Sequence, residues 1–220
     1  MRVVIAGGHG KIALHLERRL AQRGDDPVAL VRNPHHAEDV RSAGAEPVVV
    51  DLEAIGADEL AGHLRGADAV VFAAGAGPGS TAERKRTVDR DAALLLADAA
   101  ARAGVRRYLL VSSMGAADPP PQAEDDSIWG EYLRAKHDAE QGVIGRADLD
   151  ATILRPGRLT DEPATGRVTL AEDRVGHEEV TREDVAATLV ALLDAPGAAG
   201  RTLELINGTV PLTTAIDEVC

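Results

Sequence analysis

Three residues that can hold or protonate a carbonyl oxygen occur in order along the chain. Tyr132 and Lys136 are four residues apart on a predicted helix and so share one face of it. An ammonium group one turn from a phenol favours the phenolate, which can exchange a proton with a carbonyl or alcohol oxygen. Ser113, at the end of the preceding predicted strand, can hold that same oxygen. We therefore predict a catalytic set of Ser113, Tyr132 and Lys136. The alternative is a tyrosine that packs on the sheet and a lysine that only contacts a cofactor ribose.

A glycine-rich turn follows the first apolar run of the chain. Gly7, Gly10 and Ala13 are spaced three residues apart, between a predicted strand and a predicted helix. Gly7 permits the backbone angles of a sharp turn, and Gly10 leaves the backbone open to a diphosphate. Free amide groups at the helix start face such an anion. The pattern predicts nucleotide binding, and the alternative is a purely structural turn.

Arg32 ends the second predicted strand, where the adenosine ribose of a dinucleotide lies in folds of this kind. A carboxylate at this position accepts from the 2′-hydroxyl and selects NAD, whereas a guanidinium suits a 2′-phosphate. Lys11 adds a second positive charge beside the phosphate turn. We therefore predict NADP as the cofactor, with NAD as the possible alternative. A solvated surface arginine is the competing interpretation.

Composition disfavours several classes of partner. The formal net charge of −12 repels nucleic acids and anionic membranes, and an aromatic content of 2% disfavours base-stacking platforms. One cysteine excludes an internal disulfide, and the seven histidines lack metal-ligand spacing, so we predict no metal. We find no signal-peptide pattern and no apolar run of membrane-spanning length. The expectation is a cytoplasmic protein acting on a small molecule.

Strands and helices alternate along the whole chain. We predict strands at 2–6, 28–31, 47–50, 69–72, 105–111, 151–154 and 202–206, with two more short strands in 158–180. Helices are predicted from 10 onwards, at 35–43, 57–64, 81–103 and 128–142, after a cap formed by Thr181 and Asp184, and at 211–219.

This alternation predicts an α/β, doubly wound Rossmann fold with a mostly parallel sheet and helices on both faces. We interpret 1–220 as a single domain. Segments 158–180 and 207–220 form a small substrate-side appendage at its C-terminal part.

Ligands of such sheets bind at the carboxyl ends of the strands, where the strand order reverses. The ends predicted here all converge on one crevice. The residues predicted to bind the cofactor are Gly7, Gly10, Lys11, Ile12, Arg32, Asp51, Leu52, Ala73, Ala74, Gly75, Ser112, Lys136, Pro156 and Gly157.

These motifs together resemble the atypical short-chain dehydrogenase/reductase superfamily. The resemblance extends over nearly the whole chain and is greatest to small NAD-dependent epimerase/dehydratase-like, NmrA-like and biliverdin-reductase-B-like members. The motifs that carry it are Gly7-x-x-Gly10-x-x-Ala13, Leu30-Val-Arg32-Asn-Pro34, Asp51-Leu52, Ala73-Ala74-Gly75, Val111-Ser-Ser113-Met-Gly115, Tyr132-x-x-x-Lys136, Leu154-Arg-Pro-Gly157 and Thr181-Arg-Glu-Asp-Val-Ala186.

The resemblance implies NADP(H) at the switch point of a Rossmann sheet, with Ser113, Tyr132 and Lys136 as the active-site trio. It also implies that Arg32 meets the 2′-phosphate. Two departures stand out: His9 replaces the threonine usual in the turn, and the larger substrate domain of sugar-nucleotide epimerases is missing. The second departure argues against sugar-nucleotide epimerisation.

The expected function is an NADP-dependent oxidoreductase that transfers hydride to a small carbonyl, quinone or flavin-like acceptor. Two alternatives stay open at this point. One is a non-catalytic NAD(P)H-sensing regulatory protein of the NmrA-like type. The other is an NAD-dependent epimerase/dehydratase-like enzyme.

Overall fold

Eleven strands are present in the computed structural model, which describes residues 1–172 and 174–220. Each begins or ends within a few residues of the position that hydrophobic patterning predicts, apart from those in the C-terminal appendage. The strands are β1 (Arg2–Ala6), β2 (Asp26–Val31), β3 (Glu46–Val49), β4 (Ala69–Phe72), β5 (Arg107–Val111), β6 (Asp150–Pro156), β7 (Arg158–Thr160), β8 (Arg167–Ala171), β9 (Glu179–Thr181), β10 (Thr202–Asn207) and β11 (Val210–Pro211).

Helices connect successive strands. The α-helices are α1 (Lys11–Arg23), α2 (Ala37–Ser42), α3 (Ala57–Leu64), α4 (Ala82–Arg84), α5 (Ala92–Ala103), α6 (Ile128–Val143), α7 (Arg182–Leu193) and α8 (Leu212–Val219). Short 3₁₀ helices cover Pro34–His36, Met114–Ala117 and Pro196–Ala198, and a π-helix covers Lys85–Asp91. None of the helices in the described ranges is long and apolar enough to cross a membrane.

Nine strands form one sheet in the order β11-β8-β10-β6-β5-β4-β1-β2-β3. All neighbours from β3 to β10 pair in parallel, whereas β8 pairs antiparallel with both β10 and β11. The chain leaves β1 towards β2 and β3 and then returns to β4 on the other side of β1. This reversal is the switch point at which a doubly wound sheet binds its ligand, and the predicted Rossmann fold is confirmed.

Two hydrophobic layers cover the sheet because side chains alternate along each strand. In β1, Val3 and Ile5 face one layer and Val4 and Ala6 the other, and all four are fully buried. Helices α1, α7 and α8 pack over the first face, and α3, α5 and α6 over the second. The helices thereby exclude water from both faces, so the carboxyl edge is where the loops after the strands can hold a ligand.

The segment 81–103 corrects the prediction of one continuous α-helix. After α4, the backbone winds as a π-helix through Lys85–Asp91, and the amide of Ala92 donates to the carbonyl of Thr87, five residues earlier. The prediction failed because only one position of the apolar stripe, Val88, falls within this segment, so hydrophobic periodicity cannot distinguish the two windings there. Such π-turns are frequent at functional sites, which draws attention to the side chains that this one presents.

Segment 158–180 contributes three short strands where two were predicted. β7 and β9 pair in parallel as a separate two-stranded sheet, while β8 lies in the main sheet between β10 and β11. The cap of α7 is confirmed: the Thr181 hydroxyl accepts from the amide of Asp184 at 2.9 Å. The buried Asp184 carboxylate accepts from the amides of Thr165 and Gly166. Asp173, within the predicted appendage, lies outside the described residues.

A buried carboxyl lies beneath the glycine-rich turn. Glu17 on α1 has no exposed surface, and neither carboxyl oxygen has a hydrogen-bond partner among the described residues. Its Oε1 would lie 3.2 Å from a Cβ placed on Gly8. Burial raises the pKa of Glu17 to about 8 because the ionised form loses its hydration. The folded protein therefore keeps this proton at neutral pH.

We predict that Glu17→Gln removes a pH-dependent loss of stability. Between the ordinary pKa of 4.5 and about 8, the folded protein holds a proton that the unfolded chain has released, so stability falls as pH rises through this window. At pH 8.5 the melting temperature of the amide variant should exceed that of the parent by several degrees, whereas near pH 5 the two should be close. A stability difference of 1 kcal/mol corresponds to about 2–4 °C in a chain of this size. Thermal unfolding across this range measures the effect. Glu59→Gln, at an exposed position on α3, is the control, and equal pH profiles for both variants would contradict the prediction.

Candidate active site

The glycine-rich turn has the geometry of an anion cradle. Gly7 adopts a φ of +82°, and a Cβ placed there would lie 2.5 Å from the Cα of Ala74, so the turn and the end of β4 pack closer than any side chain allows. The Gly10 amide closes the turn on the carbonyl of Gly7 at 2.8 Å. Gly10 also begins α1 without a side-chain cap, which leaves the first amides of the helix for a ligand.

A cavity of about 370 Å³ opens from this turn along the carboxyl ends of β1 to β4. Its lining includes eight of the residues predicted to bind the cofactor, and the structure brings these together. They are Gly7, Gly10, Arg32, Asp51, Leu52, Ala73, Ala74 and Gly75. We call it the nucleotide cavity.

Two guanidinium groups meet at one carboxylate on the rim of the nucleotide cavity. Glu53 accepts from Arg32 at 3.1 Å and from Arg84 at 2.7 Å, and its other oxygen accepts from the Thr87 hydroxyl at 2.6 Å. The two guanidinium groups thus share one carboxylate, and Asp51 adds a second carboxylate to the lining of this cavity. Arg32 remains 54% exposed and can turn towards an anion in the cavity.

A stacked pair of histidines forms the neighbouring part of the rim. The rings of His9 and His36 lie 3.6 Å apart at an angle of 11°, and His9 Nε2 is 2.7 Å from an Asp39 carboxylate oxygen. Burial, together with the charge of His9, holds the pKa of His36 below its usual range. His36 is therefore a neutral ring at neutral pH. No group of three potential metal ligands occurs among the histidine, cysteine and acidic residues that the structure describes.

A second cavity of about 520 Å³ lies on the other side of the loop after β4. Its walls include Ser113 and Tyr132 of the predicted catalytic set, and Gly157 after β6. We call it the acceptor cavity. The ring of Trp129 lies 5.2 Å from that of Tyr132 and adds an aromatic face.

Lys136 lies behind the acceptor cavity rather than in its wall. Its ammonium donates to the carbonyl of Val111 at 3.2 Å and lies 3.4 Å from a carboxylate oxygen of Asp89. Both side chains are almost fully buried, and the ammonium is 5.9 Å from the centre of the Tyr132 ring. Asp89 also accepts from the amide of Ala76 at 3.2 Å. This ion pair thus joins α6, the π-helix and the loop between the two cavities.

Four other predicted cofactor residues lie outside both cavity walls. Lys11 is exposed and donates to Asp161 at 2.5 Å. This hydrogen bond joins α1 to the segment after β7. Ile12 is half-buried against the core. Ser112 and Pro156 are buried at the ends of their strands, and the Ser112 hydroxyl has no partner within the described residues.

Sequence reasoning missed several residues of the site. Arg84 and Lys85 come from the junction of α4 and the π-helix, and a basic run at residues 84–86 was their signal. Glu53 follows the predicted Asp51-Leu52 pair, but nothing in the sequence links it to Arg32. Asp89 and Trp129 carried no pattern of their own.

A model of NAD(P)H-binding domains matches residues 7–196 of the chain. The match begins at the glycine turn and ends after α7, so it includes the walls of both cavities.

Similar proteins share both sequence and fold over the full length. A Bacillus subtilis protein named an uncharacterized sugar epimerase is 33% identical, with 100% of each chain aligned. A Bacillus halodurans structure described as an NAD-dependent epimerase/dehydratase is 35% identical, covers 99% of each chain and superposes with a TM-score of 0.90. An anaerobillin reductase from Escherichia coli O157:H7 is 26% identical, covers 94% of this chain and 97% of its own, and gives a TM-score of 0.78.

We predict that Asp89→Asn destabilises the fold by about 3 kcal/mol, because it leaves the Lys136 ammonium buried without its counter-charge. The double variant with Lys136→Met should recover most of this loss. Denaturant unfolding of the single and double variants measures it. Asp58→Asn is the control, since it breaks the exposed Asp58–Arg102 pair, worth under about 1 kcal/mol. Equal losses for Asp58→Asn and Asp89→Asn would refute a buried ion pair.

Proposed function

The chain belongs to the NAD(P)H-binding family of Rossmann proteins, and from that premise we propose that it is an NADP(H)-dependent oxidoreductase acting on a small carbonyl compound. The proposal rests on the relation between the two cavities. Residues Gly75 and Ala76 line the nucleotide cavity, and Gly77 to Gly79 line the acceptor cavity. A cofactor bound in one can therefore meet an acceptor bound in the other across a single loop.

The residues of the nucleotide cavity fit a pyridine dinucleotide. The cradle at Gly7 and Gly10 and the free amides of α1 suit its diphosphate. Arg32 and Arg84 suit a 2′-phosphate, because they share a single carboxylate, Glu53, and a guanidinium can donate two parallel hydrogen bonds to a phosphate. No acidic side chain at the end of β2 takes the place that a 2′-hydroxyl prefers. This charge arrangement is what favours NADP over NAD.

In a reduction, the bound nicotinamide supplies a hydride for the carbonyl carbon, and the protein must deliver one proton to the oxygen. Tyr132 is the proton donor in our proposal because its ring faces the acceptor cavity. Ser113, which also lines the acceptor cavity, holds the carbonyl oxygen by a hydrogen bond. The ammonium group of Lys136, 5.9 Å from the ring centre, stabilises the phenolate that remains.

We expect Arg32→Ala to weaken NADPH binding by about 10- to 100-fold and to leave NADH binding nearly unchanged. The reason is that hydrogen bonds to a charged phosphate are worth about 1.5–3 kcal/mol. Calorimetric titration of both nucleotides measures the two affinities. Arg102→Ala, which removes an exposed guanidinium outside both cavity walls, is the control. An equal loss for NADPH and NADH would refute the assignment of Arg32.

Tyr132→Phe should lower turnover of carbonyl substrates by about 10²- to 10⁴-fold, the usual contribution of a positioned general acid. NADPH affinity should stay the same, because Tyr132 is not in the wall of the nucleotide cavity. Loss of NADPH absorbance with a panel of aldehydes and ketones measures turnover. Full activity of the variant would remove Tyr132 from the mechanism. A parent protein that binds NADPH tightly but reduces nothing on the panel would favour the NAD(P)H sensor instead.

A further inference from the structure

The acceptor cavity contains a buried ammonium group that lacks an acidic partner. Lys85 is only 9% exposed, and its Nζ donates to the neutral carbonyl of Gly77 at 3.1 Å and lies 5.0 Å from the centre of the Tyr132 ring. Within 1–172 and 174–220, no carboxylate lies within 4.0 Å of this ammonium. Lys136, buried to a similar degree nearby, is paired with Asp89. Since a buried charge is costly unless it is paired, Lys85 is suited to an anion that arrives with a ligand.

The rest of the lining strengthens this charge. Arg158 and Arg182 join Lys85 in the wall, and no aspartate or glutamate is among the described residues that line the cavity. The carboxylates that pair with the two arginines, on Glu179 and Asp161, lie outside the lining. A chain with a net charge of −12 thus presents three cations and no anion here. Such a local reversal of sign concentrates anionic ligands.

The lining of the acceptor cavity also includes exposed apolar side chains. Trp129 and Ile128, at the start of α6, are 60% and 51% exposed, and both line the cavity together with Leu159. Large apolar side chains that stay exposed around a concave surface commonly mark a binding site. They can cover a planar hydrophobic body while the cations hold its charged end.

We propose that the acceptor is an organic oxyanion, a carbonyl compound with a carboxylate or phosphate on a planar apolar body, and that Lys85 recognises its charge. This inference rests on the proposed oxidoreductase function for the carbonyl, but the anion site stands on Lys85 and the lining alone. Lys85 is a specificity residue in this scheme. Its removal should raise KM for charged substrates while kcat changes little.

Binding is tested without turnover, because Trp129 is the single tryptophan of the chain and lies in the cavity wall. Trp129 fluorescence should change when benzoate or phenyl phosphate is titrated separately into the NADP⁺-bound protein. The compound that binds more tightly shows whether the cavity prefers a carboxylate or a phosphate. Lys85→Met should weaken that binding at least about tenfold, which is 1.4 kcal/mol. Lys85→Arg should keep most of it, and Arg102→Met, at an exposed position, should behave as the parent.

Turnover supplies the second readout. In the parent protein, kcat/KM for 3- or 4-carboxybenzaldehyde should exceed that for the corresponding methyl ester by at least about tenfold. In Lys85→Met this ratio of kcat/KM values should fall towards one, because KM for the carboxylated aldehyde rises. The proposal would be overturned if the folded parent preferred the neutral ester. It would also be overturned if Lys85→Met left the binding of benzoate and phenyl phosphate unchanged. Lys85-dependent anion binding without reduction of any aldehyde would support the anion site and refute the oxidoreductase function.

Discussion

The arrangement of both cavities depends on the carboxylate of Asp89. It balances the buried ammonium of Lys136 from α6 and accepts from the amide of Ala76 in the loop after β4. Three elements that are distant in the sequence are thereby held to one buried group. Because a carboxylate in the interior is stable only with such partners, its contacts fix where the π-helix lies against the sheet. The walls that the π-helix gives to each cavity follow from that position.

Charge is distributed unevenly over this acidic chain. Several cations at the sites are each held by a carboxylate, as Glu53 holds Arg32 and Asp161 holds Arg182. These pairs keep long basic side chains near their working positions, so less side-chain entropy is lost when an anion binds. Lys85 is different because its ammonium is kept in place by a carbonyl and an aromatic ring. Its ammonium is therefore available to pair with an anionic ligand.

Much of the fold was predictable because it depends on local patterns. Buried parallel strands appear as short β-branched runs, the turn from Gly7 to Ala13 joins one of them to a helix, and Arg32 directly follows another. The cap formed by Thr181 and Asp184 is equally local, and it was confirmed. Eight predicted cofactor residues line one cavity because parallel strands bring their carboxyl ends to the same edge.

What the sequence did not reveal depends on contacts between distant segments. Tyr132 and Lys136 share a helix face as expected, but the burial of Lys136 follows from Asp89, which is 47 positions earlier. The partnership of Glu53 with two arginines is likewise invisible in any local pattern. The appendage was only partly predicted, since β7 and β9 stabilise each other across a long connection rather than by a hairpin turn.

The π-helical winding of Lys85–Asp91 gives the site an unusual dependence on chain length. A π-turn contains one residue more than the α-helical turn that would replace it, and each residue of an α-helix turns the chain by about 100°. Deleting one amino acid there would restore regular winding and displace the side chains that the π-helix itself presents, Lys85 at the acceptor cavity and Asp89 at Lys136. A single-codon deletion would thus alter ligand recognition without changing the order of the strands, and natural insertions or deletions at this point would separate relatives by ligand rather than by architecture.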